Sequence, residues 1–407
     1  MAEPLRIAVV FGTRPEAVKV LPVLRLLAAD ARFAVRTVVT GQHRQMLDEI
    51  LAPFGIVPDI DLAIMQPGQS LTDIVCRTLP RLDALCVEER PDVVMVQGDT
   101  TSAFAAALAA FHRRVPVAHL EAGLRSFDRF HPYPEEANRR MVGAIADFHL
   151  APTERAARSL AAEGVPASAI AVTGNTVVDA LLLALSIPSE GAAAPRSAFA
   201  KRILVTLHRR EGWDGESPAL GPDGKPQSAL EGVLGALASV ARARPDVEIV
   251  YPVHLNPRVR EPVARVLGGL PNVSLREPLA YLPFVRLMAS SDLVVTDSGG
   301  LQEEAPSLGI PVLVLRKTTE RQEGVEAGTS LLVGTDPREV EQAIARALDA
   351  PRPALGPLPR PSPFGDGHAA ERTRDALLAW FGRGPQPRPF GEPTAPATPA
   401  VPGARVY

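Results

Sequence analysis

The chain has 407 residues, with 43 Lys and Arg against 46 Asp and Glu and a formal net charge of −3. That length exceeds what one core of about 250–300 residues sustains, so two domains with a cleft between them are predicted. The interspersed charges offer no face to nucleic acid, no run reaches the roughly 18 apolar residues of a bilayer span, and Cys76 and Cys86 read as buried thiols of a soluble, cytosolic protein rather than metal ligands or a disulfide.

The chain opens on LRIAVVFG, a strand over 6–11 without the basic region and cleavage site of a secretory signal. Further β-branched runs follow at 34–40, 92–97 and 115–121 with helical patterns between them, the βαβ rhythm of a parallel sheet. The rhythm pauses near Ser186 in IPSEGAAAPRS, the predicted linker, and resumes at 202–208, 247–254, 292–297 and 310–316. Residues 1–185 and 199–366 are therefore predicted as two doubly wound, Rossmann-like α/β domains. A terminal helix is predicted over 367–382. The tail 383–407 is Pro-rich and too poor in apolar residues to bury surface, so it is expected to lack order. The segment GWDGESPALGPDGKPQSALE after His208 interrupts the second domain as either a surface loop or a lid.

In open α/β sheets ligands bind beyond the carboxyl ends of the strands. Those ends carry Gly12-Thr13-Arg14, Gly41-Gln42-His43, Gly98-Asp99-Thr100, His119 and Glu121, His208 to Glu211, His254, Asp297 to Gly300, and Arg316. Cations from both halves and several carboxylates thus face one cleft. Duller roles exist for each: Asp99 and Ser298 as helix N-caps, Glu121 and His208 as satisfied interior groups, Lys19 as a solvated helix residue. In DSGG, a hydroxyl and backbone N–H groups at a helix start suit a phosphate; Arg14 and Arg321 can pair a diphosphate, and a carboxylate of Glu303-Glu304 can accept ribose hydroxyls. A nucleoside diphosphate fits this set. No G-x-G-x-x-G follows the first strand, no P-loop pattern occurs, and metal-ligand spacings are absent, so neither a dinucleotide cofactor, NTP hydrolysis nor a metal is expected.

The motifs FGTRPEAVKVLP, TGQHRQML, QGDTTSA, HLEAGLRS, PEEANRR, TGNTVVDAL, TLHRRE, YPVHLNPRVREP, YLPF, TDSGGLQEEAPSLGIPVLVLR, TTER and PFGDGHAAERT run in order from about residue 6 to about residue 368. Together they resemble the non-hydrolysing UDP-N-acetylglucosamine 2-epimerases of bacteria. The resemblance implies a glycosyltransferase B-type fold, a terminal helix packed back on the first domain, a homodimer, and reversible conversion of UDP-GlcNAc to UDP-ManNAc for cell-surface polysaccharide. It implies no cofactor and no metal: UDP departs from C1 by anti elimination, 2-acetamidoglucal forms, and UDP re-adds. On matching motif positions it assigns catalysis to Asp99, Glu121, Glu135 and His208. It assigns UDP binding to Arg14, Lys19, Phe284, Ser298, Gly299, Gly300, Glu304 and Arg321. A second UDP-GlcNAc, as activator, would meet Gln42, Gln45, Glu136, Arg209 and His254. Leu279 replaces a Gln that some members offer to uracil, TTERQE replaces the usual TTERPE at Gln322, Lys317 adds a charge beside Arg316, and the segment 212–228 replaces a short loop.

Three competing readings are separable. A hydrolysing relative releases free ManNAc, a retaining glycosyltransferase of the same fold brings in an acceptor, and a non-catalytic nucleotide-sugar sensor has no need of Asp99, Glu121 and Glu135. The presence of all three carboxylates argues against the sensor.

Overall fold

The computed structural model describes residues 3–41, 44–66, 68–188, 199–207, 219–220, 226–350 and 362–392. Its first sheet holds β1 (Leu5–Phe11), β2 (Phe33–Val39), β3 (Ile60–Asp61), β4 (Val93–Gln97), β5 (Val117–Leu120), β6 (Phe148–Ala151) and β7 (Ile170–Val172), all parallel, in the order β3-β2-β1-β4-β5-β6-β7. Helices α1 (Arg14–Ala28), α2 (Arg44–Leu51), α3 (Leu71–Glu88), α4 (Thr101–His112), α5 (Glu135–Ile145), α6 (Glu154–Ala162) and α7 (Thr176–Ser186) connect or follow these strands. The second sheet starts with β8 (Lys201–Thr206). A two-residue antiparallel ribbon of β9 (Ala219–Leu220) and β10 (Pro226–Gln227) follows, and is all that is described of the irregular segment before its closing Ser228, the N-cap of the next helix. The sheet is completed by β11 (Val247–Pro252), β12 (Val273–Arg276), β13 (Leu293–Thr296), β14 (Val312–Val314) and β15 (Ser330–Leu332), in the order β12-β11-β8-β13-β14-β15, again parallel throughout. Its helices are α8 (Ala229–Ala243), α9 (Pro257–Leu267), α10 (Tyr281–Ala289), α11 (Leu301–Ser307), α12 (Gln322–Glu326) and α13 (Pro337–Asp349). The last helix, α14 (Ala369–Trp380), belongs to neither series. Both sheets are doubly wound, with the strand order reversing beside β1 and beside β8, so each presents a crevice at its carboxyl edge.

The local sequence explains the packing. β1 is flanked on both sides, Val9 lying opposite Thr37 and Met95, and its continuous apolar run suits a strand covered on both faces. Helix α4, TSAFAAALAAFH, buries six alanines, whose small side chains let α3 lie close against it. On α3 the buried face is Ile74, Thr78, Leu82, Leu85 and Cys86. Two residues beyond Ile74 on a 3.6-residue turn, Cys76 falls on the opposite face and is exposed, so only one of the two cysteines is buried; burial pushes the Cys86 thiol up to about 11.

One apolar core joins Leu21 and Leu24 of α1, Leu181 of α7, Leu377 of α14, and Val285, Met288 and Ala305 on the second sheet's side. Helix α7 is the shared wall, packing on α1, α10, α11 and α14. The chain passes from the first lobe to the second after α7 and returns after α13. Phe364 O then accepts from Asn175 N at 2.7 Å, and the Asp179 carboxylate accepts from Ala369 N and Ala370 N at the start of α14. Trp380 stacks on Phe148 with centroids 4.9 Å apart, a pairing worth about 0.5–1.5 kcal/mol beyond its buried area.

The expectation of a wholly unordered tail is corrected for residues 383–392. Arg383 donates to Glu3 O at 2.6 Å, Phe390 N donates to Val172 O at 2.9 Å on the edge strand β7, and Arg372 lies over the Phe390 ring. Phe390 supplies the apolar anchor that composition averaged over the tail conceals. Among the described residues no helix is long and apolar enough to cross a membrane.

Candidate active site between the two sheets

A cleft of about 750 Å³ lies between the carboxyl edges of the sheets. Asp99, Glu121, Glu135, Arg14 and Lys19 line it from the first lobe, and Phe284, Ser298, Gly299, Gly300, Glu304, Arg321 and His254 line it from the second. Thr206 and Leu207 also line it, at the end of β8. His208, Arg209 and Gln42 lie outside the described residues, as does the side chain of Gln45. Glu136 is fully buried beneath the cleft wall rather than on it.

The turn after β1 is shaped by Glu16, whose Oε2 accepts from Gly12 N at 2.9 Å and Thr13 N at 2.7 Å and whose Oε1 accepts from the Thr100 hydroxyl at 2.6 Å. Gly12 is required there, since a Cβ would stand 2.1 Å from Thr40 Oγ1. Thr100, not Asp99, caps α4, accepting from Ala103 N at 3.1 Å. The Asp99 side chain is thereby left for the cleft, where it is 28% exposed and accepts at Oδ2 from Arg139. Burial pushes the Asp99 carboxyl up, but the charge and hydrogen bond of Arg139, with Lys19 and Arg321, outweigh burial and hold it below the usual carboxylate range.

Glu121 follows β5 in the left-handed region, φ 64°, a conformation that costs a non-glycine residue about 1 kcal/mol or more. Its carboxylate is only 9% exposed and is held by three donors: Lys19 and Asn175 on Oε1, the latter at 3.1 Å, and Gln97 on Oε2. Asn175 also donates to Glu303 Oε2 of the other lobe at 3.1 Å, and Lys19 lies 3.6 Å from the same oxygen. A carboxylate of each lobe is thus bridged by the same two side chains. Lys19 is an interior cation, not a solvated one.

In the second lobe Glu303 and Glu304 diverge. Glu303 turns into the protein onto Arg321, Nε to Oε1 at 2.9 Å, while Arg321 Nη1 pairs with Glu320, which also takes Arg316 at 3.1 Å. Gly299 lets Arg321 approach, for a Cβ there would lie 3.2 Å from the guanidinium. The N-cap of α11 is Gly300, so Ser298 is no cap; its own N–H donates to Thr296 Oγ1 at 2.9 Å. Glu304 faces the cleft beside the Tyr281 hydroxyl at 3.5 Å. Burial, then the Glu303 charge, push its carboxyl up to about 7. For an acid with a raised folded value the folded state binds the proton more tightly, so stability falls as pH rises from about 4.5 to 7. Glu304→Gln is therefore expected to stabilise the protein at pH 8 by up to about 3 kcal/mol and to leave pH 5 nearly unchanged, as read by denaturant unfolding. An equal gain at both values would contradict this.

His119, a strand-end candidate, is interior: its Nε2 donates to Gly98 O at 2.7 Å and burial lowers its value to about 3, so it stays neutral and steadies the turn carrying Asp99. Sequence reasoning passed over Gln97, Arg139, Asn175 and Tyr281. All four stand inside quoted motifs, QGDTTSA, PEEANRR, TGNTVVDAL and YLPF, and a polar residue closing an apolar strand was the available signal for Gln97. Nothing local marks Arg139 or Asn175, whose partners are 40 and 54 residues away.

The family model described as UDP-N-acetylglucosamine 2-epimerase matches residues 25–378. A UDP-N-acetylglucosamine 2-epimerase of Yersinia pestis is 49% identical over 383 residues, covering 92% of this chain and 98% of its own length. The crystal structure of a UDP-GlcNAc 2-epimerase from Neisseria meningitidis bound to UDP-GlcNAc is 40% identical with a TM-score of 0.82, over 92% of this chain and all of that one. MurG of Acinetobacter baumannii, at 14% identity and a TM-score of 0.50 over 85% of this chain and 91% of its own, shares the fold alone.

Proposed function

Because the chain belongs to the UDP-N-acetylglucosamine 2-epimerase family, we propose that it interconverts UDP-GlcNAc and UDP-ManNAc with the nucleotide retained. The observation that carries this reading is the division of the cleft: Asp99, Glu121 and Glu135 on one wall, Arg321 with the Ser298–Gly300 turn on the other. The C2–H of an acetamido sugar has no ring carbonyl beside it, so direct deprotonation to a stabilised anion is not available. Elimination solves this. A carboxylate takes the C2 proton, the C–H electron pair forms the C1–C2 double bond, and the C1–O pair leaves with UDP; 2-acetamidoglucal remains. UDP then re-adds at C1 while C2 is protonated from the opposite face.

Asp99 is assigned the proton transfer at C2, because the Glu121 carboxylate already serves three protein donors and Asp99 serves one side chain from one side. Glu135 begins α5 on the same wall and shares the second face. Arg14, Lys19, Arg321 and the Ser298–Gly300 backbone stabilise charge arriving on the departing diphosphate, Phe284 lines the base side, and Glu304 accepts ribose hydroxyls. His208 joins the diphosphate set on the resemblance. So do a cytoplasmic homodimer, delivery of ManNAc to surface polysaccharide, and a second UDP-GlcNAc as activator near Gln42, Gln45, Arg209 and His254. The domain limits, 1–185 and 199–366, belong to the same reading.

In deuterated water, proton NMR is expected to show UDP-GlcNAc turning into UDP-ManNAc with deuterium at C2. Free ManNAc accumulating instead would assign the hydrolysing reaction, and product without label at C2 would exclude elimination.

A further inference from the structure

We propose that Arg139 is a positioning residue that fixes the Asp99 carboxylate for proton transfer at C2, braced in turn on buried Glu136. The inference rests on the assignment of Asp99 to that transfer. Arg139 is 5% exposed and spends its fork on two carboxylates, Nη2 on Asp99 Oδ2 and Nη1 on Glu136 Oε2 at 3.1 Å. Glu136 is itself 0% exposed and is pinned by Ser126 N at 3.0 Å and by Arg140 Nε at 3.0 Å. The guanidinium therefore cannot swing: a planar, two-pronged cation is clamped at one end and holds Asp99 with the other. One residue earlier, Asn138 Nδ2 donates to Asp99 O at 3.0 Å and to Thr101 Oγ1 at 3.3 Å. Helix α5 thus grips Asp99 by side chain and by backbone, while Glu135 at its first position faces the cleft. One helix sets two of the three carboxylates.

Besides Arg139, the groups facing Asp99 are Lys19 from α1, Arg321 from the opposite lobe, neutral His119 from β5, and the cleft carboxylates Glu121 and Glu135. Lys19 and Arg321 are engaged with Glu121 and with Glu303 and Glu320, so Arg139 is the cation hydrogen-bonded to Asp99. Removing it both loosens the carboxylate and strips away its direct counter-charge.

The test is the pH profile of kcat and of C2 deuterium exchange for full-length Arg139→Met and Arg139→Lys, with Asp99→Asn in parallel. Arg139→Met is expected to lose about 100-fold in kcat with KM within about threefold, and its acid limb is expected to move to higher pH. Arg139→Lys keeps the charge without the fork and is expected to keep its limb nearer wild type while losing about tenfold in kcat. Adding Arg139→Met to Asp99→Asn is expected to cost little more. An unmoved acid limb in Arg139→Met, or a loss lying wholly in KM, would overturn the proposal; if Arg139→Met does not fold, an undiminished kcat or a loss lying wholly in KM in Arg139→Lys would overturn it. Undiminished exchange in Asp99→Asn sinks the assignment of Asp99 itself, whereas an inactive Asp99→Asn beside an unmoved limb sinks only the role of Arg139.

Discussion

Methionine in place of Arg321 is expected to destabilise the fold by about 3–5 kcal/mol and to abolish measurable UDP binding. The side chain is 10% exposed and balances two carboxylates, Glu303 at 1% and Glu320 at 3%, that no solvent reaches. Taking it away leaves Glu303 with only Lys19, at 3.6 Å and shared with Glu121, and Glu320 with only Arg316 at 3.1 Å, and a buried carboxylate stripped of its nearest cation costs far more than the net worth of the pair. Denaturant unfolding at pH 7.5, beside a UDP titration, reads both effects. Adding Glu303→Gln to Arg321→Met is expected to restore part of the stability and none of the binding, because one stranded carboxylate is then neutral. A loss below about 1 kcal/mol would mean that the cluster is solvated in solution.

Asp99→Asn is expected to lower kcat by about 10²–10⁴-fold with little change in KM. The substitution keeps the shape and the hydrogen bond to Arg139 at the amide oxygen, but the amide cannot accept a proton at neutral pH. Asp99 is suited to the task because Arg139 overcomes burial and keeps the carboxyl ionised. For an acid whose folded value is lowered, that stabilisation is fully present above its ordinary value of 3.8 and is lost only as pH falls through the folded value, so the base is in its working form at neutral pH. Initial rates on UDP-GlcNAc and C2 exchange on both epimers check this; exchange retained in one direction alone would show that Asp99 serves a single face.

The inner strands of each sheet were legible because a strand covered on both faces reads as an unbroken apolar run, as in RIAVVF and DLVVTD. The outer strands β3, β6, β7, β12 and β15 escaped notice: two to four residues such as FHLA or SLL carry no period to read. Membership of the cleft was likewise legible, since Arg14, Asp99, Glu121 and Ser298 follow apolar runs and the strand-end rule places such residues at the carboxyl edge. What each side chain does there was not. Asp99 and Thr100 are adjacent polar residues before a helix, and only the chain's path decides that Thr100 takes the cap. The donors of Glu121 come from α1, β4 and the N-cap of α7, three elements that meet only in the folded molecule. Spacing cannot express that meeting.

Because the polypeptide passes to the second lobe after α7 and comes back to the first before α14, the lobes share two covalent connections rather than one. Two bodies on one connection can tumble about any axis. A second connection removes most of that freedom, and the apolar core that α7 shares with α10 and α11 removes more. The wall holding Asp99 and the wall holding Arg321 are tied directly as well, because Lys19 and Asn175 of the first lobe both reach Glu303, the partner of Arg321 in the second.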